Sequence, residues 1–218
     1  MHASPEGLIV PLVTPVAGGR VDLESLSRLA GALSRLGLQL FPVSTTGEAP
    51  VLSREDKLAI VEAVASASRT PVWAGTSVNS AEETVRLGRE MLDRGASGLV
   101  VVTPYYYRVS QEALYHYYSH ILQSIDAPII AYTIPGAACN RLAPETVERL
   151  AEEHSNLAGI KVTSEDAGYL ARIIAAVRGT GLRVMPGSVV TLPVARAYGL
   201  KSAILAVANL LPKTERPR

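Results

Sequence analysis

The sequence is poor in cysteine: one, Cys139, in 218 residues. A single thiol cannot close an internal disulfide, so a disulfide scaffold is excluded and a reducing, cytoplasmic setting is expected. Neither sign of charge is in excess, with 21 Lys and Arg against 20 Asp and Glu for a net charge of +1. Without a basic surplus to neutralise a phosphate backbone, nucleic acid is not an expected partner. No apolar run approaches the roughly 20 residues that span a bilayer. The first residues lack a basic segment followed by a long apolar stretch, so neither a membrane partner nor a signal peptide is expected. No GxGxxG follows the first apolar run, which removes the usual dinucleotide fingerprint. His116 and His120 have an i, i+4 spacing that zinc can use, but no acidic third ligand stands nearby. They read as a surface or interface face, and neither metal nor cofactor is expected.

What is present is apolar sequence in short pieces. Hydrophobic residues make up 48% and charged residues 19%, the balance of a globular chain. Eight runs of strand length, rich in Val, Ile and Leu, cover 8–15, 38–44, 71–76, 98–104, 128–135, 157–163, 182–188 and 202–209. Strands apolar on both faces belong to a parallel sheet covered by helices. Helical stretches separate them. One starts from Asp22 as N-cap; the next starts from Ser53, with Asp56 three residues on in the manner of a capping box. A third runs from Asn79 to a stop at Gly95. Others follow in 110–125, 143–154, 166–178 and 191–198. The pattern predicts an α/β fold, a TIM (β/α)₈ barrel forming one domain over 1–218. After the eighth strand only LPKTERPR remains, too short and Pro-rich for an eighth helix. A C-terminally short barrel with one uncovered flank, or one covered by a second subunit, is therefore expected.

Barrel active sites sit at the C-terminal ends of the strands. Three places there carry chemistry. Strand alternation aims Lys161 of LAGIKVT into the barrel, where burial favours the neutral, nucleophilic amine. Tyr132 of PIIAYTIP stands one strand earlier and can pass protons. Ser44-Thr45-Thr46-Gly47-Glu48 makes a turn of hydroxyls and backbone N–H groups that suits a carboxylate. Each has an ordinary reading alone: a lysine that snorkels to solvent, a satisfied core tyrosine, a common turn. Together they supply an amine, a proton shuttle and an anion cradle, the parts that Schiff-base chemistry on a 2-oxo acid requires. Residues 105–118 hold six of the nine tyrosines. Without a basic groove they are not a stacking platform for single strands, and interface packing is the expected use.

The runs Thr45-Thr46-Gly47-Glu48, VVTPYYYRVSQEALYHYY (101–118), Tyr132-Thr133-Ile134-Pro135 and Gly159-Ile160-Lys161 resemble the dihydrodipicolinate synthase / N-acetylneuraminate lyase family of class I aldolases. The resemblance extends from about residue 7 to 212. It implies that Lys161 forms an imine with pyruvate and that Tyr132 is the general acid/base. It further implies that Thr46, with the Thr45 and Thr46 backbone and Gly47, holds the carboxylate. Thr45 and Tyr106 would complete a proton relay, with Tyr106 coming from a neighbouring subunit of a homodimer or homotetramer. Gly187 and Ile204 would line the pocket. Substrates would be a 2-oxo acid and an aldehyde.

Three departures bear on the activity. Where family members that make dihydrodipicolinate carry an arginine for the second carboxylate, this chain has Ala137, and a methyl group cannot replace a bidentate guanidinium. The reading this favours is a 2-keto-3-deoxy sugar acid aldolase, with 4-hydroxy-tetrahydrodipicolinate synthase as the alternative. Arg54 and Lys57 stand where some members bind a lysine effector, which disfavours feedback by lysine. The helical extension that normally follows the eighth strand is missing, which motivates a reading of another class: an impaired, shortened member that only binds oxo acids.

Overall fold

The computed structural model describes residues 3–210. All eight expected strands are present, shorter than the apolar runs that announced them. In chain order the elements are β1 (Leu8–Pro11), β2 (Val16–Ala17), β3 (Arg20–Val21), α1 (Leu23–Arg35), β4 (Gln39–Phe41), α2 (Arg54–Ala67), β5 (Trp73–Gly75), α3 (Ala81–Asp93) and β6 (Gly98–Val102). There follow α4 (Gln111–Ser124), β7 (Ile129–Thr133), α5 (Pro135–Ala138), α6 (Pro144–Glu153), β8 (Leu157–Val162), α7 (Ala167–Ala176), β9 (Arg183–Pro186), α8 (Leu192–Ala197) and β10 (Ala203–Ile204). The strands β2 and β3 form a small antiparallel hairpin that the alternation did not announce. The other eight are parallel and run in sequence order around a barrel. A bridge from Leu40 to Val72 joins β4 to β5.

Two apolar layers result from strand alternation. Ile9, Phe41, Trp73, Val100, Ile130, Tyr132, Met185 and Ile204 pack inside the barrel. Val10, Leu40, Ala74, Val101, Ala131, Ile160 and Val162 face the helices. Gly98 lets the large Trp73 ring into the interior, because a Cβ there would stand 2.5 Å from the ring. The helix starts follow their caps. Asp22 accepts from Ser25 N, Ser53 from Asp56 N and Ser110 from Ala113 N. The third helix is capped by Ser80 and not by Asn79, whose side chain instead accepts from Tyr105 N at 2.8 Å.

The run 202–209 gives a strand of two residues and then a 3₁₀ turn over Ala206–Asn209. Asn209 Nδ2 donates to Pro11 O at 2.9 Å and folds the chain back over β1. No helix follows β10 among the described residues other than that turn, and residues 211–218 lie outside them. The flank around α8 leaves Val189, Val190, Tyr198 and Leu210 exposed. No helix of the described residues is long and apolar enough to cross a membrane.

Candidate active site

Lys161 lies on β8, between Ile160 and Val162, both of which pack toward the helices. Its own side chain therefore points inward, and it is 4% exposed. The register places it opposite Tyr132 on β7 and Met185 on β9. Its ammonium nitrogen stands 4.1 Å from the centre of the Tyr132 ring and 5.0 Å from that of Phe41. Burial pushes the amine below its ordinary value, and the nearby Tyr132 phenol opposes that shift without reversing it. The result is an amine held closer to its neutral form in an apolar, aromatic box.

Tyr132 is 3% exposed. Burial works to raise its phenol, but the Lys161 charge, helped by the hydroxyls of Thr163 and Thr45, outweighs it, so the phenol sits below its ordinary value. The Thr45 hydroxyl is 3.5 Å from the Tyr132 oxygen, at the long limit of a hydrogen bond. Tyr118 on α4, fully buried, donates to Val101 O at 2.9 Å and to Tyr132 O at 3.4 Å, and so ties β6 to β7 behind the strand that carries the phenol.

The turn after β4 holds itself together. Gly47 N donates to Ser44 O at 3.0 Å, Glu48 N to Thr45 O at 3.1 Å and Ala49 N to Ser44 O at 3.1 Å. The N–H groups of Thr45 and Thr46 donate to no acceptor among the described residues, which leaves two adjacent donors for an anion. Gly47 is required by close approach: a Cβ would meet Leu12 O at 2.8 Å and Thr14 Oγ1 at 2.9 Å. Val43, immediately before the turn, has φ of 55°, a left-handed conformation that a β-branched residue adopts only under constraint.

A cavity of about 580 Å³ at the C-terminal ends of β7, β8 and β9 is lined by Ile134, Pro135, Gly136, Ala137, Thr163, Ser164, Glu165, Asp166, Gly187 and Ser188, and Lys161 itself does not line it. Gly187, one of the lining residues, adjoins the lysine: a Cβ there would stand 3.0 Å from Lys161 Cε and 2.1 Å from Thr163 Oγ1. Ala137 is exposed on the cavity wall, and the charged residues of the lining are Glu165 and Asp166. Ile204 is buried in the barrel interior. A second cavity of about 420 Å³ lies against the N-terminal ends of β8 and β9, at the opposite end from Lys161.

Other expected residues fall elsewhere. Tyr106 is 81% exposed, has φ of 83° and makes no hydrogen bond with Thr45 or Tyr132 within the chain. It packs edge-on against Tyr107 at 4.8 Å. The tyrosine-rich run divides: Tyr106 and Tyr107 are exposed, whereas Tyr115, Tyr117 and Tyr118 are buried in this chain. Interface packing therefore does not account for these last three, because α4 turns them onto β6 and its neighbouring helices. His116 pairs with Glu112 at 3.1 Å on an exposed face. Asp166 caps α7, its side chain accepting from Tyr169 N. Arg54 binds Glu83 and Glu90 across α2 and α3. Among the described residues no group of three or more His, Cys, Asp or Glu is placed to hold a metal.

Thr163 is a site residue that the sequence reading does not single out. Its place two residues after Lys161, one past the end of β8 where the ladder still continues, is the signal, since alternation sends both side chains the same way.

Comparison with known proteins bears on this geometry. The dihydrodipicolinate synthetase family model matches residues 4–217. A 4-hydroxy-tetrahydrodipicolinate synthase of Geobacter metallireducens is 36% identical over 213 residues, covering 96% of this chain and 72% of the relative. Its counterpart in Thermus thermophilus is 37% identical over 212 residues, covering 95% and 70%. The crystal structure of the chloride-inhibited dihydrodipicolinate synthase of Acinetobacter baumannii, complexed with pyruvate, superposes with a TM-score of 0.91 at 34% identity, over 97% of this chain and 74% of that one. This chain belongs to the dihydrodipicolinate synthetase family and is an enzyme of the class I aldolase type, a carbon–carbon lyase.

Proposed function

We propose that Lys161 forms a Schiff base with pyruvate and that the enzyme joins this unit to aspartate semialdehyde, as a 4-hydroxy-tetrahydrodipicolinate synthase. The observation that carries the reading is the sealed Lys161 amine facing a phenol of lowered basicity. The neutral amine adds to the ketone carbon, and the resulting hydroxyl takes the Tyr132 proton and leaves as water, which gives the Tyr132 phenolate and the iminium. Its positive charge acidifies the adjacent methyl group, and Tyr132, as phenolate, takes that proton to leave an enamine. The enamine carbon attacks the aldehyde carbon, and the alkoxide recovers the proton from Tyr132. The amino group of the semialdehyde unit then adds to the imine carbon, which closes the ring, gives up a proton and expels the Lys161 amine. The carboxylate of pyruvate rests on the Thr45 and Thr46 N–H groups and the Thr46 hydroxyl. Tyr106, exposed in one chain, meets the Thr45 hydroxyl of a second copy in a dimer and extends the proton path.

The relatives' names favour the semialdehyde. Ala137 favours a second reading, a 2-keto-3-deoxy sugar acid aldolase. The cavity lining carries Glu165 and no cation, Asp166 being paired with Arg141 and Arg172, which makes a poor seat for a second carboxylate and a better one for a hydroxylated aldehyde. Pyruvate supplied with aspartate semialdehyde, or with glyceraldehyde, separates the two. Product with the semialdehyde alone supports the synthase, and product with glyceraldehyde alone replaces it by the aldolase. Ala137→Arg should raise kcat/KM for the semialdehyde by about tenfold or more through one charge-assisted pair.

A further inference from the structure

Thr163 completes the β7–β8 ladder by donating its N–H to Thr133 O at 3.0 Å, so strand alternation persists through it. Its side chain therefore shares the inward face of Lys161. The same point above Gly187 lies 2.1 Å from Thr163 Oγ1 and 3.0 Å from Lys161 Cε, so both side chains converge on one spot. The Thr163 oxygen is shielded from solvent and finds no well-formed hydrogen bond among the described residues. A buried hydroxyl left in that state costs stability unless it serves the site. Thr45, by contrast, is exposed, and its contact with Tyr132 is long.

We propose that Thr163 is a positioning residue for the proton shuttle: its hydroxyl donates to the Tyr132 oxygen, holding the phenolate over Lys161 from the side opposite the Thr45 turn. This rests on the reading of Lys161 and Tyr132 given above and deepens it. The groups facing the phenol agree with it. Lys161 on β8 is the charged group, Thr45 and Thr163 are the hydroxyls, and Val102, Ile130 and Met185 from β6, β7 and β9 belong to the same apolar interior. The proton shuttle thus has a hydrogen-bond partner within its own chain, independent of any tyrosine from a second subunit.

The test is a tyrosinate absorbance titration of the folded protein, which does not depend on turnover. Thr163→Val keeps the shape and removes the hydroxyl. It should move the earliest-titrating phenol upward by about one pH unit, and Thr163→Ser should restore it. Thr163→Ala serves the same purpose if valine disturbs folding. In parallel, kcat should fall about tenfold in Thr163→Val with KM for pyruvate little changed. An unchanged titration in Thr163→Val, with the early phenol lost in Tyr132→Phe, overturns this inference alone. An early phenol that survives Tyr132→Phe overturns both it and the assignment of Tyr132 as shuttle.

Discussion

The two ends of the barrel contain cavities of similar size, about 580 Å³ above the strands' C-termini and about 420 Å³ at their N-termini, but they treat polar groups in opposite ways. At the N-terminal end His154 is buried and bonded, its Nε2 2.9 Å from Ser119 Oγ. Asn156 Nδ2 donates to Leu122 O and Ile125 O, each at 2.9 Å, and Arg183 pairs with Glu6 at 2.6 Å. At the other end, three buried side-chain atoms lack a well-formed hydrogen bond among the described residues: Thr76 Oγ1 after β5, Thr163 Oγ1 after β8 and Asn209 Oδ1 after β10. Lys161 is sealed there without a carboxylate.

The backbone repeats the contrast. Gly7, Gly37, Gly95, Gly181 and Gly199 take positive φ in segments leading into strands, where a missing Cβ makes that conformation easy. The non-glycine residues with positive φ, Val43, Glu48, Ser77, Tyr106 and Cys139, all follow strand ends. Satisfied groups and relaxed turns build the scaffold. Orphaned groups and constrained turns collect where the chemistry is proposed, which is how a fold stores the cost of a site.

Breaking the mouth should cost activity more than stability, and the largest effect belongs to Lys161. Lys161→Met should lower turnover by roughly 10⁴-fold or more. It should also raise thermal stability near neutral pH, on the order of 1 kcal/mol. The sign follows from burial: the amine's pKa is lowered in the folded chain, so below its ordinary value of 10.5 the unfolded chain binds more protons. The stabilisation by methionine should therefore fade as pH rises toward 10.5, which melting curves across that range will check.

Tyr132→Phe comes next, with kcat reduced about 10²- to 10⁴-fold. Tyr132 is the neighbour that raises the Lys161 pKa, so its loss lowers the amine further. Imine formation should then persist to lower pH than in the parent, as read from trapped adduct against pH. Gly187→Ala drives a methyl into Thr163 and Lys161. We expect a loss of about 1–3 kcal/mol together with a drop in activity larger than the unfolded fraction explains. The smallest effect on turnover belongs to the opposite end. Ser119→Ala leaves His154 unpaired and should cost about 1–3 kcal/mol in denaturant melts with kcat unchanged. A change in kcat there would erase the distinction between the two ends.

Much of this is legible in the chain. Apolar runs mark the number and order of the barrel strands, and Asp22, Ser53 and Ser110 mark their helix starts because a side-chain oxygen at the N-cap is a local signal. Alternation alone puts Lys161 inside. The hairpin at Val16–Val21 is not legible, since two residues on each side, mostly exposed, carry no alternation to read. Nor is the sorting of the tyrosines, because only tertiary packing decides that Tyr118 is buried while Tyr106 is exposed. Thr163 escapes notice because a hydroxyl's lack of a partner is a property of its surroundings and not of its sequence.

The most direct measurement of the central claim is reduction by borohydride in the presence of pyruvate, followed by peptide mass mapping. One adduct, on the peptide carrying Lys161 and absent from Lys161→Met, is the expected result. An adduct on Lys57, Lys201 or Lys213 instead, or none on fully folded protein, would contradict it.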